Sequence, residues 1–230
     1  MNSFFEESMF AGVALSLIAY ALGSMLKKKF KLGLFNPLLI SIAITALVIV
    51  LGKVDYKTYN NGAKYLSYLL TPATVCLAIP LYEQWTLLKK NSKAVVAGLV
   101  MGTITSLTTV FVLALIFNLS HKEYVTLLPK SITTAIGMGV AEELGGYVTI
   151  TVAVIIITGV LGNMLGEPVC KIFKIHEPIS KGLALGASSH AIGTAKAMEM
   201  GEIEGAMSSL AIAVSGLLTV ILSSVYAYFI

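Results

Sequence analysis

Runs of about twenty apolar residues recur along this chain, and each is long enough to cross the hydrocarbon core of a bilayer. They fall at about 8–26, 34–52, 65–88, 94–118, 147–168 and 205–230. Two further segments, 127–145 and 182–200, are less hydrophobic and rich in Gly, Ser and Thr. Such a chain is all-α. About six full transmembrane helices are expected, plus two segments that are either re-entrant or broken. Composition agrees: 57% of the residues are hydrophobic, 12% are charged and the mean hydropathy is +0.87. A soluble domain of this size carries about twice that share of charge. The connectors are short, so residues 1–230 read as one integral membrane domain. Within it, 1–60 supplies N-terminal helices with a scaffold or oligomerisation role, and 61–230 forms the core.

Several function classes drop out at once. The net charge of +4 rests on 16 lysines placed mostly at the ends of apolar segments. That pattern reports membrane orientation and carries no nucleic-acid signal. Cys76 and Cys170 have neither metal nor redox spacing. The acidic start "MNSFFEESMF" lacks a basic n-region, so no removable signal peptide is expected. The three histidines, His121, His176 and His190, are far apart, and no phosphate-cradling loop is present. Ser189 and His190 are adjacent, and adjacent side chains diverge. No metal, no cofactor and no enzymatic activity are expected.

The two polar segments echo each other. "TTAIGMGVAEELGG" (133–146) lies over "SHAIGTAKAMEMGE" (189–202) without a gap. Ala135/Ala191, Ile136/Ile192, Gly137/Gly193, Ala141/Ala197, Glu143/Glu199 and Gly145/Gly201 are identical pairs. The match continues from "ITGVL" (157–161) to "VSGLL" (214–218). Repeats of 127–168 and 182–230 follow. Lysine placement then discriminates between topologies. If every segment crosses, seven lysines lie on one side and eight on the other. If both polar segments dip and return, the counts become ten and five, with Lys196 in the second dip. The positive-inside rule favours the dips, and it makes the two repeats run in opposite directions. Inverted repeats of this kind are the architecture of secondary transporters.

Each polar segment opens with hydroxyls and turns glycine-rich, which describes a loop entering a short helix. Two helix N-termini meeting near the midplane suit a small carboxylate. The expected ligands are Ser131, Thr133, Thr134, Ser188, Ser189, His190 and Thr194, with Lys196 as a fixed positive charge. His190 titrates near physiological pH and offers a means of proton coupling; the alternative is a neutral imidazole packed between helices. Lys196 has a snorkelling alternative, and the hydroxyls could serve only as helix-packing groups. Glu143 and Glu199 are secondary candidates for a proton or cation role. Asn163, Thr71 and Thr74 are candidates for the cavity wall.

Through "LLPKSITTAIGMGVAEELGGY", "IIITGVLGNMLGEPV", "KGLALGASSHAIGTAKAMEMGEIEGAMSSLAIAVSGLLT" and "TPATVCLAIPLYEQ", the chain resembles the LrgB/CidB family of antiholin-like bacterial membrane proteins. The plastid glycolate/glycerate translocator is similar through its C-terminal half. The resemblance implies a multi-pass protein of the bacterial cytoplasmic (inner) membrane, working with a small LrgA/CidA-type partner. It implies either transport of small monocarboxylates, of the pyruvate, glycolate, glycerate or lactate type, or control of murein hydrolase activity and cell lysis. A homodimer is expected. Ser131–Thr134 and Ser189–Ala197 match the family's signature segments. Family members commonly have proline where Ala135 stands and arginine where Lys196 stands. A lysine keeps the charge but lacks the planar fork.

Overall fold

The computed structural model describes residues 8, 10–30, 36–69, 72, 75, 76 and 78–230. Among these, all regular structure is helical, and the chain resolves into two compact units, Met1–Cys76 and Leu77–Ile230. It is an all-α polytopic membrane protein.

The first unit holds α1 (Ala11–Phe30), α2 (Pro37–Leu51) and α3 (Tyr56–Ser67). Asn36 starts α2 by accepting the Leu38 and Leu39 N–H groups, with Pro37 at the first helical position, where its missing N–H costs nothing. α1 packs on both neighbours through glycines. A Cβ at Gly23 would stand 2.7 Å from the Pro37 carbonyl oxygen, and Gly12 lies against Tyr59 and Ala63. Ser16 ties the α1–α3 contact through a 2.8 Å hydrogen bond to the Tyr59 hydroxyl.

The second unit begins with two short helices, α4 (Ala78–Glu83) and α5 (Trp85–Lys90). It continues with α6 (Ser92–Ile116), α7 (His121–Leu127), α8 (Thr134–Glu143), α9 (Val148–Ile172), α10 (Pro178–Met200) and α11 (Glu202–Tyr226), closed by a 3₁₀ turn, Ala227–Phe229. α6, α9 and α11 are long and apolar enough to span a membrane. Their hydroxyls do not burden the span. Thr103 donates to the Leu99 carbonyl, and Ser209 donates to the Gly205 carbonyl four residues back. Self-satisfaction of this kind is what an apolar solvent requires.

Both echo segments are helical hairpins. α10 contains one non-helical residue, His190 (φ 43°, ψ −140°), and there the helix reverses. A Cβ at Gly193 would stand 2.6 Å from the Leu185 carbonyl oxygen. In an unbroken helix those residues are about 12 Å apart along the axis. The two halves therefore flank the same stretch of α11. Gly182 lies against Glu204 and Met207, while Gly205 lies against Met198. The first echo segment does the same with a longer apex. α7 enters, residues 128–133 turn, and α8 returns until Gly146 meets Thr126. Thr126 Oγ1 then accepts the Tyr147 N–H at 2.8 Å, and Thr151 Oγ1 donates to the Thr126 carbonyl at 2.8 Å.

The repeat is thus realised element for element: entering helix, apex, returning helix, glycine, long helix. α8 begins at Thr134, and the break in α10 falls at the aligned His190. The glycines between returning and long helix also align, Gly145 (φ 78°) with Gly201.

The hairpins enter from opposite ends of the unit. The base of the first, around Thr126 and Gly146, sits at the start of α9. The base of the second sits at its end, where Glu167 pairs with Lys196 at 3.0 Å and Gly166 meets Leu185. Between these ends, Ile155 touches both apices. Its side chain lies over Gly137, and its carbonyl accepts from His190. α6 and α11 connect the same two levels. Gly98 and Gly102 of α6 face Leu183 and Ala187 of the second hairpin. Leu107, Val110 and Ala114 pack against Tyr124, Val125 and Leu128 of the first.

Candidate functional site

The apex of the second hairpin is held by α9. The His190 backbone occupies a region that L-residues rarely adopt, so tertiary partners must hold it there. His190 Nε2 lies 3.0 Å from the Ile155 carbonyl oxygen; a carbonyl only accepts, so Nε2 carries the proton. Asn163 Nδ2 donates to the Ile192 carbonyl at 2.8 Å, just past the break. Glycines make room for this. A Cβ at Gly159 would stand 2.6 Å from His190 Cε1, and one at Gly162 would fall on the Ser189 side chain. Close approach through small residues is the usual packing solution in lipid. Thr194 completes the support, donating to the His190 carbonyl at 3.0 Å and meeting Ser208 Oγ at 2.7 Å.

The apex of the first hairpin carries a cation. Lys130 Nζ donates to Ser131 Oγ at 2.9 Å and to Ser106 Oγ of α6 at 3.3 Å, while those two hydroxyls lie 3.0 Å apart. Lys130 is half-buried, and among the described residues it pairs with no carboxylate. It lines a cavity of about 500 Å³ between α6 and the entering half of the second hairpin. Thr105, Ser106, Thr109 and Ser188 form the polar part of that wall. A volume of this size is ordinary for a small-molecule site.

The expected ligands separate into two sets. Ser188 lines the cavity, Ser131 is bonded to two of its lining residues, and Ser189 meets Ser188 Oγ at 3.0 Å. Thr133 and Thr134 start α8 beside them. His190, Thr194 and Asn163 instead build the apex behind the wall. Lys196 faces a second, charged cavity of about 510 Å³ at the base of the hairpin, where it bridges Glu167 at 3.0 Å and Glu199 at 3.6 Å. Glu143 is exposed at the end of α8, and Glu199 is exposed on α10. Thr71 and Thr74 lie outside the described residues. Ser189 and His190 have separate partners, so they form no nucleophile–base pair.

One sequence reading requires correction. The smaller lysine count, five, includes Lys130 as a loop residue on that side, whereas Lys130 reaches the hairpin apex because 128–133 is the turn itself. Its position directly before "SITT" was the available signal. Thr105, Ser106 and Thr109 were also missed, since hydroxyls inside an apolar run read as packing groups.

Two helical hairpins entering from opposite ends, beside long apolar helices, define the second unit of a polytopic membrane protein. The chain belongs to the LrgB-like family, whose model matches residues 16–229. It is 39% identical over 224 residues to the antiholin-like protein LrgB of Bacillus subtilis (strain 168), covering 97% of each chain. It is also 39% identical over 220 residues to the antiholin-like protein LrgB of Bacillus cereus (strain B4264), covering 95% of this chain and 96% of that one. The protein of the same name from Bacillus anthracis (strain CDC 684 / NRRL 3495) gives the same identity and coverage. No solved structure matches.

Proposed function

We propose that this protein is a secondary transporter of small monocarboxylates, of the pyruvate, glycolate, glycerate or lactate type. The observation that carries the reading is Lys130: an ammonium at a hairpin apex, among hydroxyls, on the wall of a cavity between two opposed repeats. An ionisable residue at such depth is costly unless it serves a function. A carboxylate entering the cavity replaces the hydroxyls around Nζ and gains charge-assisted hydrogen bonds. Rocking of one repeat against the other then exposes the site to each side in turn. Protons couple through His190, whose Nε2–H is committed to Ile155 and whose Nδ1 is the nitrogen that gains the proton.

The test is uptake of labelled pyruvate, glycolate, glycerate and lactate into proteoliposomes, with and without an inward proton gradient. Wild type is expected to show saturable, gradient-stimulated uptake, and Lys130→Gln none. Equal uptake by both proteins, or none by either, refutes the reading.

A second reading takes the relatives' printed name, antiholin-like, at face value; with what the family resemblance implies, it makes the protein a regulator of murein hydrolase activity acting with a small LrgA/CidA-type membrane partner. It predicts dye leakage that appears only when both proteins share a membrane, with no saturable carboxylate flux. In either reading we place the protein in the bacterial cytoplasmic membrane, as a homodimer.

A further inference from the structure

The cavity beside Lys130 is a slot with two chemically different ends. α6 contributes Ala94, Gly98 and Gly102 to one part of the wall, and Thr105, Ser106 and Thr109 to the other. The facing hairpin steps in the same order. Leu183 lies opposite Gly98, and Ala187 lies opposite Gly102. Ser188 then adjoins the polar end, while Ser180 is exposed at the far mouth. Charge and hydroxyls gather at one end, and apolar wall extends away from them.

The distances set a scale. At about 1.5 Å per residue, Gly102 lies about 6 Å and Gly98 about 12 Å from Ser106 along α6. An extended acid grows by roughly 1.3 Å per carbon. A two- or three-carbon acid held at Lys130 therefore ends before it passes Gly102, and the slot beyond stays empty. Neither glycine is required by packing. A Cβ at Gly98 would stand 3.7 Å from Leu183 Cδ1, and one at Gly102 would stand 3.8 Å from the Ala187 Cβ, both ordinary contacts. By contrast, a Cβ at Gly159, Gly162, Gly166, Gly182 or Gly186 would come within 3.0 Å of a neighbour, whereas Gly98 and Gly102 line the cavity.

We infer that the site is built for monocarboxylates with an aliphatic tail of about five to nine carbons, and that Gly98 and Gly102 set the tail length it accepts. This rests on the proposed carboxylate site at Lys130. The carboxylate takes the lysine and hydroxyl end, and the tail runs along the two glycines toward Ile179 and Leu183. Each methylene that fits should raise affinity by up to about fourfold. Hydroxyl-bearing tails should gain nothing.

The experiment separates this inference from transport itself. Thermal stabilisation of the purified protein by straight-chain acids and 2-oxo acids of about two to ten carbons measures binding, and proteoliposome uptake measures flux. The proteins compared are wild type, Gly102→Ala, Gly102→Val, Gly98→Val and Lys130→Gln. The alanine variant checks that a Cβ is tolerated, and gel filtration checks folding of all five. Wild type should bind six-carbon acids at least tenfold more tightly than three-carbon acids. Gly102→Val should remove that gain from about five carbons upward, and Gly98→Val only from about nine carbons upward, both sparing pyruvate. Lys130→Gln should weaken the binding of every acid by about ten- to a hundredfold. Ordered cut-offs in binding without uptake uphold the inference and defeat the transport reading. A flat length series, or glycine variants that weaken all acids alike, overturns the inference even where uptake is intact.

Discussion

At the scale of single residues, two lysines of one chain have opposite situations. Lys130 is surrounded by hydroxyls, whereas Lys196 is held by Glu167 and Glu199. Only the first has charge left for a visiting anion. Hydrogen bonds to charged groups contribute about 1.5–3 kcal/mol, so Lys130→Gln should weaken carboxylate binding by about ten- to a hundredfold. Lys196→Gln should leave the dissociation constant within about threefold; titration by thermal shift distinguishes the two. His190 invites a different comparison. Its φ of 43° is strained for any L-residue. His190→Ala keeps the strain and loses the bond to Ile155, while His190→Gly relieves the strain. The glycine variant should be the more stable of the two by about 1 kcal/mol. Gly139 gives the opposite sign: a Cβ there meets nothing within 4 Å, inside a helix. Gly139→Ala should therefore be neutral or stabilise by about 0.5–1 kcal/mol. Melting in one detergent measures all three.

At the scale of elements, α9 is the template on which both apices are shaped. Its glycines at 159, 162 and 166 face His190, Ser189 and Leu185 in turn. Gly162→Ala places a carbon on the Ser189 side chain, which should cost about 1–3 kcal/mol. It should also disturb the 3.0 Å contact between Ser189 and Ser188. Melting temperature and the carboxylate affinity should both fall, whereas a purely local packing fault would lower only the first. Much of this level was legible in the sequence. Hydroxyl-then-glycine spacing repeats at 131–137 and 188–193, because each apex needs a helix start and a close approach. The pairing of elements was legible because "ITGVL" and "VSGLL" follow the two echo segments within one residue of the same distance. What stayed hidden was which cation reaches the cavity. That depends on where a reversal of one residue at His190, or of six at 128–133, points the neighbouring side chains. Short-range patterns do not encode such an outcome, since the partners that decide it, Ser106 and Glu167, lie on other helices.

At the scale of the second unit, the opposed hairpins sort charge by membrane face. Lys89, Lys90 and Lys93 precede or open α6 at the end where the second hairpin has its base. Lys171, Lys174, Lys181 and Lys196 gather at that same end, around the close of α9 and the two ends of α10. The opposite end, at the base of the first hairpin, has Lys122, stacked at 4.3 Å over the Tyr147 ring. Seven lysines against one is a far stronger bias than the connectors alone suggested, because re-entry returns both ends of α10 to one side. The positive-inside rule then orients the unit with the base of the second hairpin in the cytoplasm. Single cysteines in a background with Cys76 and Cys170 replaced by serine report this directly. Lys122→Cys should react with a membrane-impermeant maleimide in intact cells, while Lys174→Cys and Lys181→Cys should react only after permeabilisation. A crossing α10 would separate Lys174 and Lys181 from residues after Met200, so Glu202→Cys supplies the decisive comparison. In a re-entrant hairpin it labels from the same side as Lys181→Cys. Labelling from opposite sides would mean that α10 traverses the bilayer, and the two apices would then have no common depth at which to meet a ligand.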